Sequence, residues 1–216
     1  MAYLLAGARR YAGGSGGAVA AEALARVRLD PTVGRAIADA YMAAPSCDER
    51  AFAAYAAFSQ ETVRQYHFLI GRVEFGGLGL TVRVVDEDPY TDVEALVADL
   101  ESRRLKVWAS AASGNPHPYL SDGENDMFRA VHDAFGHAAS GRGFDRHGEE
   151  AAWVKHGAMY SPLARRAMTT ETRGQNCAQI FQYGGSQFPE QKAALLPHVF
   201  SDLSRVVGVE EVVSAA

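Results

Sequence analysis

His132 and His137 stand five residues apart in the stretch FRAVHDAFGH, and a close pair of imidazoles flanked by acids can hold a metal ion. On a regular α-helix a five-residue step turns the second side chain about 140° from the first, because each residue advances about 100°. Gly136 changes that outcome, since glycine tolerates backbone angles that end or loosen a helix and let the second imidazole swing back. The motif differs from the HExxH of zinc peptidases, whose histidines are four apart with a glutamate base between them. Two histidines completed by one carboxylate form instead the facial set of non-haem iron(II) oxygenases, which leaves positions open for oxygen and substrate. Candidates for the carboxylate are Asp133, Glu149, Glu150 and Glu171. Asp133 follows His132 directly and points to another side of the helix, which suits orienting an imidazole or accepting a proton. Glu149 and Glu150 lie in GEEAAWVKH, where Glu149, Trp153 and His156 share a helical face, and Glu171 lies in TTETRGQN.

Other side chains could serve a substrate. Arg129 and Arg173 are each within a few residues of proposed ligands, and a guanidinium either captures a substrate carboxylate in bidentate fashion or pairs with a buried acid. Trp108, His117, Tyr119 and Phe135 could form an aromatic pocket wall, with ordinary core packing the more natural role for Phe135. The same ligands holding zinc, with Asp133 or Glu150 as base, would make a hydrolase. A di-iron centre needs Glu-x-x-His motifs from several helices, whereas His156 follows Glu149 and Glu150 by seven and six positions. A metal that only holds the fold is a third reading.

The elements that must position these groups are mostly helical. Asp30-Pro31 is a helix start, with an acidic cap before proline, and Pro45 ends the pattern. From Asp48, Phe52, Tyr55, Ser59, Val63, Tyr66 and Ile70 recur at helical spacing up to Gly71. Val73 to Phe75 and Leu80 to Val85, short β-branched runs around GGLG, predict a small hairpin. TDVEALVADLESRR then carries Val93, Leu96, Val97 and Leu100 on one helical face and leads into LKVWAS, a buried strand. The loop GNPHPYLSDGEND opens the helical half that carries the chemistry. The expected fold is a mainly helical α+β domain spanning 21–216, with a small β element in its middle third. Residues 1–20, which contain GGSGG, are expected to be flexible.

With these residues in place, the chain resembles the catalytic core of the tetrahydropterin-dependent aromatic amino acid hydroxylases. In that iron(II) family a helix bearing HELLGH supplies two histidines at the same five-residue spacing. KVWASAASGNPHPYLSDGEND looks like the segment and proline-containing loop that enter that helix, and Phe144 with GEEAAW corresponds loosely to the next helix. The resemblance covers about residues 100–180 and makes Glu171 the best match to the family's glutamate, so the implied metal set is His132, His137 and Glu171. Where the family has HE, this chain has His132-Asp133. FRAVHDAFGH, GEEAAWVKH and ETRGQN also resemble motifs of short, largely uncharacterised bacterial and phage proteins. The implied activity is a monooxygenase that uses Fe(II) and O2 to hydroxylate a small aromatic or amino-acid-like substrate. Two further electrons would come from a tetrahydropterin or another small reductant.

Composition narrows the alternatives. A chain of 216 residues with 48% hydrophobic and 10% aromatic residues can build one buried core. A net charge of −5 and basic residues that occur only in pairs offer no stripe for nucleic acid or an anionic membrane. No apolar run suits a signal peptide or a membrane span. Cys47 and Cys177 are too far apart in sequence for a metal or redox motif, which points to a reducing, cytoplasmic setting.

Overall fold

The computed structural model describes residues 1–11 and 21–206. Its first helix, α1 (Ala2–Tyr11), departs from the flexible segment expected at the N-terminus. Leu4 and Ala8 bury in the core, and the Tyr3 hydroxyl donates to the Leu100 carbonyl at 2.6 Å, so this short helix gains tertiary contacts that propensity alone does not foretell. GGSGG lies outside the described residues. After α2 (Ala21–Arg26), α3 (Pro31–Ala43) begins as the sequence dictates: Asp30 accepts from the Thr32 and Val33 amides, with Pro31 in the first turn. A 3-10 turn then feeds the long α4 (Phe52–Ile70), which buries Tyr55, Phe58 and Leu69 and, unusually, Gln65.

The β element differs from the expected hairpin. Val73–Phe75 is a 3-10 turn with no buried residue, and Phe75 is 83% exposed, so it has no apolar face to pin a strand register. The Leu78 and Leu80 amides bond to the end of α4 instead, at Phe68 and Leu69. β1 (Thr81–Val85) then crosses over through α5 (Val93–Glu101) and pairs in parallel with β2 (Arg104–Trp108), in the register Thr81 to Arg104 through Val85 to Trp108. A parallel pair requires such a crossover, and α5 covers the strands with Leu96 and Leu100. β2 ends at Trp108, on the rim of the functional cavity.

The second half is helical. α6 (Asp122–His132) opens on a capping box in which Ser121 and Glu124 satisfy each other's backbone amides. It runs without a break into a π-helical stretch, Asp133–Ala138. α7 (Arg146–Gly157) packs back against that stretch. α8 (Pro162–Thr169) continues through a second π-helical stretch, Thr170–Gly174, into α9 (Gln175–Tyr183). The main core gathers residues from α1, α4, α5, α6, α7 and α8, and a smaller cluster seals α3 against α9 through Ile37, Tyr41, Cys177 and Ala178. The architecture is thus the mainly helical α+β class expected. Among the described residues no helix is long and apolar enough to cross a membrane.

Candidate metal centre

The turn between the two histidines is widened, not broken. In the π-stretch the Ala139 amide reaches back five residues to the Ala134 carbonyl, so residues five apart come near the same side of the helix. The rings of His132 and His137 meet edge to face with centroids 5.0 Å apart. Gly136 therefore acts by its size. A Cβ there would lie 3.1 Å from His132 Nδ1 and 3.2 Å from the Ala152 methyl, so the glycine lets α7 and the His132 ring close over the turn.

The third group is Glu149, in the first turn of α7. Asp145 caps that helix by accepting from the His147 and Gly148 amides. Gly148 permits the approach of the preceding loop, since a Cβ would fall 1.8 Å from the Gly143 carbonyl oxygen. Glu149 Oε1 lies 3.5 Å from His137 Nε2, and Oε2 lies 3.9 Å from His132 Nε2. One ligand atom from each of the three falls within 4.8 Å of the others, and among the described residues no other such His, Cys, Asp and Glu group occurs. His137 Nδ1 donates to the Arg142 carbonyl at 3.2 Å; a carbonyl can only accept, so Nδ1 carries a hydrogen and Nε2 faces Glu149. His132 Nε2 is buried and has no hydrogen-bond partner.

Without a metal, the cluster holds a proton. Burial opposes a charge on His137, but Glu149 outweighs it, with help from Asp133 and the Arg142 carbonyl, and raises its pKa to about 9. Burial likewise opposes ionisation of Glu149, yet His137 and His132 hold its pKa at about 2. For His132, burial, helped by the neighbouring His137, keeps the value below that of ordinary histidine despite Glu149. Burial lifts Asp133 to about 7 against the pull of His137 and Arg129.

The three groups open onto a cavity of about 910 Å³. Arg129 and Asp133 line it together with Trp108, Phe144 and Phe188, and carboxamides from Asn125, Asn176, Gln179 and Gln191 form much of the remaining wall. Arg129, one turn before His132, lays its guanidinium 5.5 Å from the centre of the Trp108 ring, and its Nε has no partner. Phe144 packs against the His137 ring at 4.8 Å, and Phe188 lies 6.3 Å from Trp108.

Several expected roles are corrected. Glu171 lines the cavity, but its Oε1 accepts from the Tyr55 hydroxyl and from His117 Nε2 at 3.0 Å, while Glu149 fills the carboxylate position beside the histidines. His117 is committed to that bond because its Nδ1 accepts the Tyr119 and Leu120 amides. Glu150 cannot be the base. It follows Glu149 by one residue, so it faces elsewhere, where Arg173 grips it from Nε at 2.8 Å and from Nη2. Arg173 also stacks over Trp153 and donates to the Phe200 carbonyl, which spends the guanidinium on the interior. Neither residue reaches the cavity. Tyr119 packs on Phe52 and Tyr55 rather than lining the cavity, whereas Phe135 takes the core position expected of it.

No family model, no curated protein and no solved structure matches this chain. The carboxamide wall and Phe188 carried no signal in the sequence, where glutamines and asparagines look like solvated surface. Glu149 had a usable signal, since it and His156 are seven residues apart, two turns along one face of α7, and that face meets the histidine pair.

Proposed function

We propose that the protein is a mononuclear non-haem iron(II) oxygenase that uses O2 to hydroxylate a small aromatic or amino-acid-like substrate. The observation that carries this reading is the convergence of the Glu149 carboxylate, His137 Nε2 and the buried, unpartnered His132 Nε2 on one point beside a cavity. Two imidazoles and one carboxylate, with no further side-chain ligand among the described residues, suit iron(II) and leave room for exchangeable ligands. When bound there, iron(II) supplies oxygen activation. The remaining work falls to the protein. Arg129, on the cavity wall about one helical turn from His132, offers a cation for a substrate carboxylate. Trp108 and Phe188 offer faces for a planar group, and Asp133 places an acid–base group on the wall beside His132. The two electrons that hydroxylation needs beyond those from the substrate would come from a tetrahydropterin or another small reductant, which the resemblance implies.

The test is anaerobic reconstitution with Fe(II), followed by metal analysis and oxygen uptake with a tetrahydropterin or ascorbate and a panel of aromatic amino acids. We expect one iron per chain, lost in Glu149→Ala, and substrate-stimulated oxygen uptake. Tight zinc with no oxygen uptake under any reductant would replace the oxygenase with a hydrolase built on the same ligands.

A further inference from the structure

A chain of buried polar groups runs behind His132, away from the cavity. His132 Nδ1 lies 3.2 Å from His156 Nδ1, and His156 Nε2 lies 2.8 Å from Gln65 Oε1. The Gln65 amide nitrogen points at the Met159 carbonyl, 3.4 Å away. His156 and Gln65 are both fully buried, on α7 and α4, and neither touches the cavity. Phe128 stacks against both imidazoles, at 5.6 and 6.1 Å, and Tyr160 packs on His156 at 5.0 Å, so the rings have little freedom to turn.

Hydrogen-bond polarity along this chain has one consistent solution. The Met159 carbonyl can only accept, so it fixes the Gln65 NH2 on its side and leaves the amide oxygen facing His156. That oxygen also only accepts, so His156 Nε2 must carry the hydrogen and His156 Nδ1 must be a bare acceptor. His132 then donates from Nδ1, and its lone pair is forced onto Nε2, the atom facing Glu149. Reversing Gln65 would set its oxygen against the Met159 carbonyl, and reversing either histidine alone would set two bare acceptors against each other.

We infer that Gln65 and His156 are positioning residues that lock His132 in the tautomer able to ligate a metal. The Met159 carbonyl is the fixed end from which the polarity is set, and the role at the metal rests on the metal reading above. A groove of ordinary core residues would not need a glutamine and a histidine at 0% exposure; each is tolerated because its partners satisfy it. His137 gets the same preparation by a shorter route, from the Arg142 carbonyl.

The experiment has a metal-free arm and a metal arm, both on the full chain. Long-range proton–nitrogen correlation spectra of histidine-labelled metal-free protein report which ring nitrogen of His132 bears hydrogen, with His132→Gln providing the assignment. We expect Nδ1–H at His132 and Nε2–H at His156. In Gln65→Leu, with folding checked by near-ultraviolet circular dichroism, His132 should populate both tautomers. Its Co(II) affinity, read from the cobalt absorption bands, should fall about 10–100-fold. Gln65→Glu should rescue both readouts, because a neutral buried carboxyl keeps an oxygen toward His156 and an O–H toward Met159. An Nε2–H tautomer at His132 in the wild type, or Gln65→Leu binding Co(II) as tightly as wild type, would overturn the relay while leaving the metal site intact. A wild-type protein with the expected tautomers that takes up no Co(II) or Fe(II) would overturn the metal reading, and the positioning role with it.

Discussion

On the proposed metal reading, a metal ion would have to compete with a proton for His137, and metal uptake should depend steeply on pH. In the metal-free protein Glu149 raises the His137 pKa to about 9, from an ordinary value of 6.5. The sign follows from the raised value: the His137–Glu149 ion pair stabilises the metal-free fold fully below pH 6.5, and that contribution is lost as pH rises through about 9. A metal ion must displace the proton on Nε2, so below pH 9 its apparent affinity should rise tenfold for each pH unit. Between pH 6.5 and 8.5 the gain is about 100-fold, or about 2.7 kcal/mol at 1.36 kcal/mol per unit. Isothermal titration with Co(II) in two buffers of different ionisation enthalpy should find about one proton released per metal at pH 7. Glu149→Asp should lower the pH at which release ends, because the shorter carboxylate holds the imidazolium more loosely. An affinity that is flat from pH 6.5 to 8.5, with no buffer-dependent heat, would refute the reasoning, since it requires His137 to be already neutral.

Other substitutions separate the roles of neighbouring acids and small residues. Glu149→Gln should abolish cobalt uptake, whereas Glu171→Gln should retain it; the reverse pattern in a metal assay would restore Glu171 as the ligand. Glu150→Ala leaves the Arg173 guanidinium buried without its partner and should cost about 3–5 kcal/mol, read as a lowered urea midpoint, while the folded fraction still binds metal. Gly136→Ala puts a methyl against the His132 ring and Ala152, with an overpacking penalty of about 1–3 kcal/mol, and metal affinity and thermal midpoint should fall together. Arg129→Gln should weaken binding of 3-phenylpropionate to the cobalt-loaded protein about 10–100-fold, the weight of a charged hydrogen-bonded contact, and an unchanged titration would remove Arg129 from substrate recognition.

The parts legible in the sequence were those fixed by local chemistry. Asp30-Pro31 caps α3, and the helical spacing from Phe52 to Ile70 foretold α4 itself; Tyr55 is buried, but the rest of its buried face, Phe58, Thr62, Gln65 and Leu69, lies one position before Ser59, Val63, Tyr66 and Ile70. The histidine pair was legible for a reason that needed amendment, because the geometry comes from a π-turn and Gly136 serves close packing. Parts that depended on distant chain segments were not legible. Whether Glu149 or Glu171 joins the histidines is decided by how α7 docks on the π-stretch, and consecutive glutamates at 149 and 150 differ only in helical phase. The hairpin misled because β-branched runs beside glycines look alike whether the partner strand is adjacent or, as here, beyond a helix.

The π-turn after His132 also carries an arithmetic lesson about insertions. A helix with one such turn holds one residue more than an ordinary helix of the same course, and that surplus residue is what brings His137 beside His132. Loss of a single codon between them would restore ordinary α-helical pairing, with the histidines four apart. They would still share a face, and because the π-turn only absorbs the extra residue, the chain beyond it would keep its course. The five-residue spacing is therefore tied to the π-turn: a change that relaxed the stretch to a regular α-helix without removing a residue would turn the two imidazoles about 140° apart.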